Sequence, residues 1–286
     1  MVLIDFNGIG IGSVMGQLGR GVTLSDGLIK HVILNNIRIY RNKFPKEEYG
    51  RLVICCDSYN NWRKEVYPEY KARRKKTRDT DKFDWTEIFR LIDITKEDIR
   101  NNFPYPVIEV NRAEADDIIG ALTVFGTRPL LGEKVAIVSA DKDFIQLHRH
   151  GDVIQWSPLF NKWVKEDDPT QYIFEHILKG DSGDGVPNIL SPDNSFTDSI
   201  RQKPMTKKRM AEIKENMHQD KMGLDNTIFK NFVRNTTMIH LDRTPEDLKE
   251  ESIRQFENYK YPNKGNVLTY LIENDMKMLI ECAGEF

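Results

Sequence analysis

Three apolar runs that end in aspartate constrain this chain more than any other feature. Val2, Leu3 and Ile4 lead into Asp5. Leu52–Cys56 leads into Asp57. Val135–Val138 leads, after Ser139 and Ala140, into Asp141 and Asp143. Short continuous runs rich in β-branched residues suit strands of a parallel sheet buried on both faces. If all three lie in one such sheet, their aspartates gather at its carboxyl edge, where open α/β sheets place ligands. An aspartate after a strand is also a good helix cap, and Asp141 alone is explained equally well that way. The repetition favours a site. Converging carboxylates repel one another unless a cation lies among them, and an all-oxygen set suits Mg²⁺, Mn²⁺ or Ca²⁺ better than zinc.

The chain has 286 residues, enough for one large domain or two small ones. It shows no secretory segment and no apolar run of membrane length, so a soluble, cytoplasmic protein is expected. Its cysteines are Cys55, Cys56 and Cys282, and no disulfide framework is implied. The net charge of −2 hides a local concentration. Residues 63–78 hold eight cations against two acids, a local charge of +6, interleaved with aromatics from Trp62 to Tyr70. Cations neutralise phosphates and aromatic rings stack on unpaired bases, so a nucleic-acid-gripping segment interrupted at Pro68 is expected there.

The remaining chain alternates elements. Gly8, Gly10, Gly12 and Gly16 lack the spacing of a dinucleotide fingerprint and read as a close-packed turn. Residues 23–40 and 84–101 read as amphipathic helices, and residues 106–108 as a strand. Glu114, Asp116 and Asp117 open the next helix; acids suit a first turn, and these three could also join the metal cluster. His148 and His150 read as surface residues. A hairpin is expected around Pro158, then a helix with Asp168 as cap and Pro169 at its first position. That helix stops at the Gly180–Asn188 loop, where Asp181, Ser182, Gly183 and Asp184 could form an anion nest or reach a metal. Thr206 followed by Lys207, Lys208 and Arg209 starts another helix. The rest reads as helical, with a break over Pro262–Gly265.

In order and spacing, several stations resemble the 5′ nuclease (flap endonuclease) family along the whole chain. They are Leu3-Ile4-Asp5-Phe6, Trp62-Arg63, Tyr70-Lys71-Ala72-Arg73-Arg74, Glu114-Ala115-Asp116-Asp117, Ser139 to Phe144, Gln155 to Pro158 with Lys162 to Lys165, and Ile177 to Asp181. The likeness is strongest to the phage branch, whose members act as ribonuclease H, 5′ exonuclease and flap endonuclease. The resemblance implies an α/β fold: a parallel-rich central sheet with helices on both faces (PIN-like), a helical arch, and a helix–three-turn–helix DNA clamp. It implies a nuclease domain over 1–165 with its arch at about 60–82, and a helical DNA-binding portion over 166–286. It implies a two-metal site, with Mg²⁺ as the ion and Mn²⁺ as its substitute, met by Asp5, Asp57, Glu114, Asp116, Asp117, Asp141, Asp143, Asp181 and Asp184. Lys71 and Arg74 would act on the scissile phosphate. Arg63, Tyr70, Arg73, Lys75, Lys76, Ser182, Gly183, Lys207, Lys208 and Arg209 would join them on DNA. Where cellular members carry a glycine-rich hairpin after the aspartate loop, this chain has residues 188–196, as in the phage branch.

The function so implied is metal-dependent cleavage of RNA–DNA hybrids and of duplex or flapped DNA from 5′ ends, with primer removal in phage replication as its setting. The expected enzyme is a monomer working beside a single-stranded-DNA-binding protein. Two rivals are a smaller PIN ribonuclease, which the helical part after residue 165 disfavours, and a DNA-binding protein without catalysis. Nine clustered carboxylates facing phosphates disfavour the second.

Overall fold

The structure is a computed structural model and describes residues 1–218, 226–263 and 266–286. Lys264 and Gly265 of the expected break lie outside the described residues, as do the side chains of Lys75 and Lys76. Two compact units are present: residues 1–60, 84–165 and 246–286, and residues 61–83 and 166–245.

The first unit is built on one sheet. Its strands are β1 (Val2–Asp5), β2 (Leu52–Cys56), β3 (Val107–Glu109), β4 (Val135–Val138), β5 (Val153–Ser157) and β6 (Lys162–Val164), in the order β3-β2-β1-β4-β5-β6. All neighbours run parallel except β5 and β6, which form the expected hairpin. β2 and β4 are buried throughout, as continuous apolar strands require. In register, Asp5 lies beside Cys55 and Ile4 beside Val138, so the three aspartate-ended strands finish together.

Helices cover both faces. Phe6–Leu18, Asp26–Lys43 and Trp85–Asn102 pack on one another, while Ala115–Gly126 packs with Glu246–Glu257. The Asp26–Lys43 helix begins where Ser25 accepts the Leu28 N–H and ends before Pro45. The glycine-rich stretch corrects the expected turn, because Gly8 to Gly16 lie inside the Phe6–Leu18 helix. The glycines serve close approach instead. A Cβ on Gly8 would collide with the Asp5 carboxylate, and one on Gly10 would press on Ile92 at 3.1 Å.

The units cut the chain differently from the sequence expectation. Residues 246–286 belong with the sheet, and residues 61–83 with residues 166–245. The Glu246–Glu257 helix buries Leu248, Ser252 and Phe256. Phe256 meets Phe125 edge-on and carries the Arg51 guanidinium 3.6 Å above its ring. That apolar stripe is what joins the helix to the sheet unit.

The second unit has its own core of Leu178, Ile189, Leu190, Met210 and Ile213, with Phe174, Met205, Ile228 and Phe232 against it. Its helices include Pro169–Lys179, capped by Asp168 as expected, Lys207–His218 and Asn226–Ile239. The basic segment forms two short helices, Trp62–Val66 and Ala72–Asp79, separated around Pro68.

Candidate functional site

In the sheet unit, Asp5, Asp57 and Asp141 gather at the carboxyl edge. Asp5 is half-buried, and both its oxygens are engaged: Oδ1 accepts the Gly8 N–H at 2.9 Å and Oδ2 accepts the Ser139 hydroxyl at 2.8 Å. Loss of water pushes its carboxyl up from 3.8 to about 6, and the charges of Asp57 and Asp141 push the same way. Asp5 therefore feels the charge of both other strand-end aspartates.

Asp57 also has a structural task. Its Oδ1 accepts the Ala115 N–H at 2.8 Å, tying β2 to the first turn of the Ala115–Gly126 helix. Glu114 is the cap of that helix, and its N–H donates to Asp117 Oδ2 at 2.9 Å, completing a reciprocal capping box. Both are buried, while Asp116 is half-buried. The helix-start reading of these acids is thus correct for Glu114 and Asp117, and the Ala115 N–H bond sets Asp57 against the same first turn. Asp141 is exposed and caps the following Lys142–His150 turn by accepting the Asp143 N–H at 2.9 Å. His148 and His150 on that turn are half-buried rather than surface residues.

In the second unit, the Gly180–Asn188 loop carries Asp181 and Asp184. Gly180 sits at φ +69°, and a side chain there would strike the Val186 and Pro187 carbonyls, so only glycine ends the helix this way. Asp181 Oδ1 accepts the Asp184 N–H at 3.0 Å, and the His176 ring lies 3.5 Å from Oδ2. Burial opposes its charge, but His176 and the Asp184 and Gly183 amides outweigh that and hold the carboxyl below its ordinary range. Sequence reasoning missed His176, a basic residue in the last turn of its helix.

Asp184 is the most heavily partnered acid of the loop. Tyr70 donates its hydroxyl to Oδ2 at 2.7 Å, Lys71 Nζ stands 3.5 Å from Oδ2, and Arg74 pairs with Oδ1. The Lys71 N–H also donates to the Asp184 carbonyl at 2.7 Å, while Lys71 itself holds the left-handed conformation at φ 56°. Arg74 Nε reaches the Gly183 carbonyl at 3.3 Å.

Two expected DNA contacts are corrected. Arg63 is buried, its Nε bonded to the Met238 carbonyl at 2.9 Å, so its guanidinium is a core group. Tyr70 is buried with Trp62 and Tyr67, so the aromatics of the basic segment pack inward instead of offering stacking faces. Spacing could have shown this, since Trp62, Tyr67 and Tyr70 are the large apolar groups of an otherwise polar stretch. Arg73, Ser182, Gly183, Lys207, Lys208 and Arg209 are exposed. Sequence reasoning also missed Asn231, Arg234 and Asn235. Asn235 Nδ2 donates to the Ile177 and Pro187 carbonyls, Arg234 to the Pro187 carbonyl, and Asn231 to the Ile189 and Ser191 carbonyls, pinning the loop from the Asn226–Ile239 helix.

Comparison with known proteins bears on the family and the fold. Residues 2–174 match the profile of the 5'-3' exonuclease N-terminal resolvase-like domain, and residues 168–286 match that of the T4 RNase H C-terminal domain. The ribonuclease H of Enterobacteria phage T4 is 28% identical over 291 residues, covering 99% of this chain and 95% of that protein. A flap endonuclease Xni of Shewanella is 30% identical over 138 residues, 45% of this chain and 48% of its own. Among solved structures, the T5 5'-exonuclease with divalent zinc ions superposes with a TM-score of 0.63 at 16% identity, covering 90% of this chain and 98% of that one. The phage T5 D15 flap endonuclease with DNA and metal ions gives 0.61 at 15% identity, covering 90% and 97%.

Proposed function

The chain belongs to the 5′-3′ exonuclease family, and from that premise we propose that it is a Mg²⁺-dependent 5′ nuclease acting on RNA–DNA hybrids and on duplex or flapped DNA. The observation that carries this reading is the gathering of Asp5, Asp57 and Asp141 at one sheet edge, with an Asp5 carboxyl raised to about 6 by burial and by its neighbours' charge. The donors fit a hard divalent ion, since every one is an oxygen and their crowded charge calls for a cation. Asp5, Asp57, Glu114, Asp116 and Asp141 would hold it. The sequence resemblance alone adds Asp117 to the cluster, and adds a second ion on Asp143, Asp181 and Asp184. When bound, such ions supply a nucleophilic water at neutral pH and neutralise the leaving oxygen.

The chain's own residues set the geometry. Ser139 and the Gly8 amide hold the Asp5 carboxylate in one orientation. Asp57 and the capping box fix the start of the Ala115–Gly126 helix, and with it Asp116. Exposed Arg73, Lys207, Lys208 and Arg209 supply phosphate contacts in this reading, together with Lys75, Lys76 and the Ser182–Gly183 turn. Lys71 and Arg74 stabilise charge on the scissile phosphate once they leave Asp184. Removal of replication primers, beside a single-stranded-DNA-binding protein and as a monomer, is the setting the resemblance suggests.

The test is cleavage of 5′-labelled flap DNA and of an RNA–DNA hybrid, with Mg²⁺ and with EDTA, using Asp141→Asn as the comparison. Expected is 5′-end cleavage in Mg²⁺ only, and a loss of at least about a hundredfold in the variant, more than the outer partners of metal sites cost. Cleavage in EDTA, or near-normal turnover by Asp141→Asn, would overturn the reading.

A further inference from the structure

A second feature of the same sheet edge is a cavity of about 430 Å³ lined by Ser58, Tyr59, Asn60, Arg100, Val107, Glu109, Asn111 and Gln255. Its size is in the range of small-ligand sites. Two loops supply half of the lining: the one leaving β2 immediately after Asp57, with Ser58, Tyr59 and Asn60, and the one leaving β3 toward Glu114, with Asn111. Three hydrogen bonds join them, from the Ser58 N–H to the Ala113 carbonyl at 3.0 Å, from the Arg112 N–H to Ser58 Oγ at 3.3 Å, and from Asn60 Nδ2 to Asn111 Oδ1 at 3.1 Å. These bonds hold the two loops together beside the cavity.

Its chemistry disfavours phosphate. Arg100 is the cation of the lining, and it is committed to Glu97 at 2.7 Å and to Glu109 at 3.2 Å. Lys96 also holds Glu109, at 3.0 Å. Apart from Val107, what remains carries neutral polar groups. The Asn60–Asn111 bond uses one half of each amide, and the other halves are an acceptor, Asn60 Oδ1, and a donor, Asn111 Nδ2. Side-chain amides of this kind pair with the edges of nucleobases. At the rim stands Tyr59, 100% exposed, two residues after Asp57. With Trp62, Tyr67 and Tyr70 buried, Tyr59 is the ring of this stretch that offers an open face.

We propose that this cavity receives one unpaired nucleobase of the DNA substrate, stacked on Tyr59 with its edge against Asn60 and Asn111. The site rests on the nuclease reading above and deepens it, because a base held beside Asp57 fixes which phosphate lies at the metal cluster. Tyr59 is then a positioning residue. It prefers a junction carrying an unpaired nucleotide over a fully paired end.

The experiment uses the full chain in EDTA, so that no strand is cut. Two duplexes are compared, one blunt and one with a single unpaired 2-aminopurine nucleotide at the strand junction. Tyr59→Ala should weaken the second by about tenfold, the scale of one base–aromatic stack, and leave the first unchanged. It should also abolish the 2-aminopurine quenching seen with the parent, whereas Tyr59→Phe should retain both. As Tyr59 is fully exposed, the variants should melt with the parent. Equal weakening of both duplexes, or an unchanged 2-aminopurine signal in Tyr59→Ala, would overturn the proposal. Cleavage of flap DNA by the parent in Mg²⁺ tests the nuclease reading separately, so the two failures are distinguishable.

Discussion

Arg74 and Asp184 form an ion pair between guanidinium Nη2 and carboxylate Oδ1, and the same carboxylate accepts the Tyr70 hydroxyl through Oδ2. A residue expected to bind a cation and one expected to bind a phosphate are thus paired with each other. Asp184→Asn should loosen this lock. In EDTA it should tighten DNA binding by about two- to fivefold, since a partly exposed ion pair contributes on the order of 1 kcal/mol. Its cleavage should need more Mg²⁺ than the parent's. A metal titration identical to the parent's would make the loop structural only.

Lys71 shares that carboxylate at 3.5 Å. Lys71→Ala should lower the single-turnover rate at saturating DNA more than it lowers affinity, because its proposed work is in the transition state. Binding titrations over a range of salt, run beside rapid-quench rates, separate the two. A pure loss of affinity would leave Lys71 as an electrostatic handle.

Gly8 faces the Asp5 carboxylate so closely that any Cβ collides with it. Gly8→Ala improves helix propensity by about 1 kcal/mol, which offsets part of the crowding, so the protein should still fold. Displacing Asp5 should nevertheless cost about a hundredfold in rate, the scale of a 1 Å misplacement. Thermal melts together with cleavage rates check this. A folded variant with parental activity would show that Asp5 can move without harm.

The raised Asp5 carboxyl gives a pH dependence with a definite sign. The folded state keeps its proton up to about 6, whereas the unfolded state loses it near 3.8. Asp5 therefore lowers the stability of the metal-free protein progressively as pH rises from about 4 to about 6, by roughly 2–3 kcal/mol. Melting in EDTA at pH 5 and pH 7.5 should show a smaller fall for Asp5→Asn than for the parent. Mg²⁺ should recover more stability for the parent at pH 7.5 than at pH 5. Equal pH slopes for the two proteins would contradict the assignment.

Asn235 is fully buried and donates to the Ile177 carbonyl at 2.7 Å and the Pro187 carbonyl at 2.9 Å. Asn235→Ala leaves buried carbonyls without that donor, at a cost of roughly 2–3 kcal/mol. Urea unfolding measures this, and the variant should also share the raised Mg²⁺ requirement of Asp184→Asn. A loss of stability with an unchanged metal requirement would confine Asn235 to packing.

Local chemistry determined much of this protein from sequence alone. β1, β2 and β4 were legible because a buried parallel strand has to be a short apolar run, and each was followed by its aspartate. Asp168 and Thr206 were legible as caps because an unpaired helix N–H needs an acceptor within a few residues. The glycine-rich stretch misled, since Gly8 and Gly10 answer to the Asp5 carboxylate and the Ile92 side chain, and the second of these is 82 positions away in the chain.

What only the tertiary structure decided was which side of each polar stretch faces inward. A run such as Trp62-Arg63 to Arg74 reads as a solvated, DNA-facing surface because its composition is basic. Yet Arg63 finds the Met238 carbonyl and Tyr70 finds Asp184, both more than a hundred residues later. Burying a charge or a hydroxyl is tolerated only where such a partner waits, and no local pattern reveals a partner that distant. The same holds for the cavity beside Asp57, whose lining residues come from four separate parts of the chain and meet only because β2 and β3 are neighbours and the Glu246–Glu257 helix lies against the sheet unit.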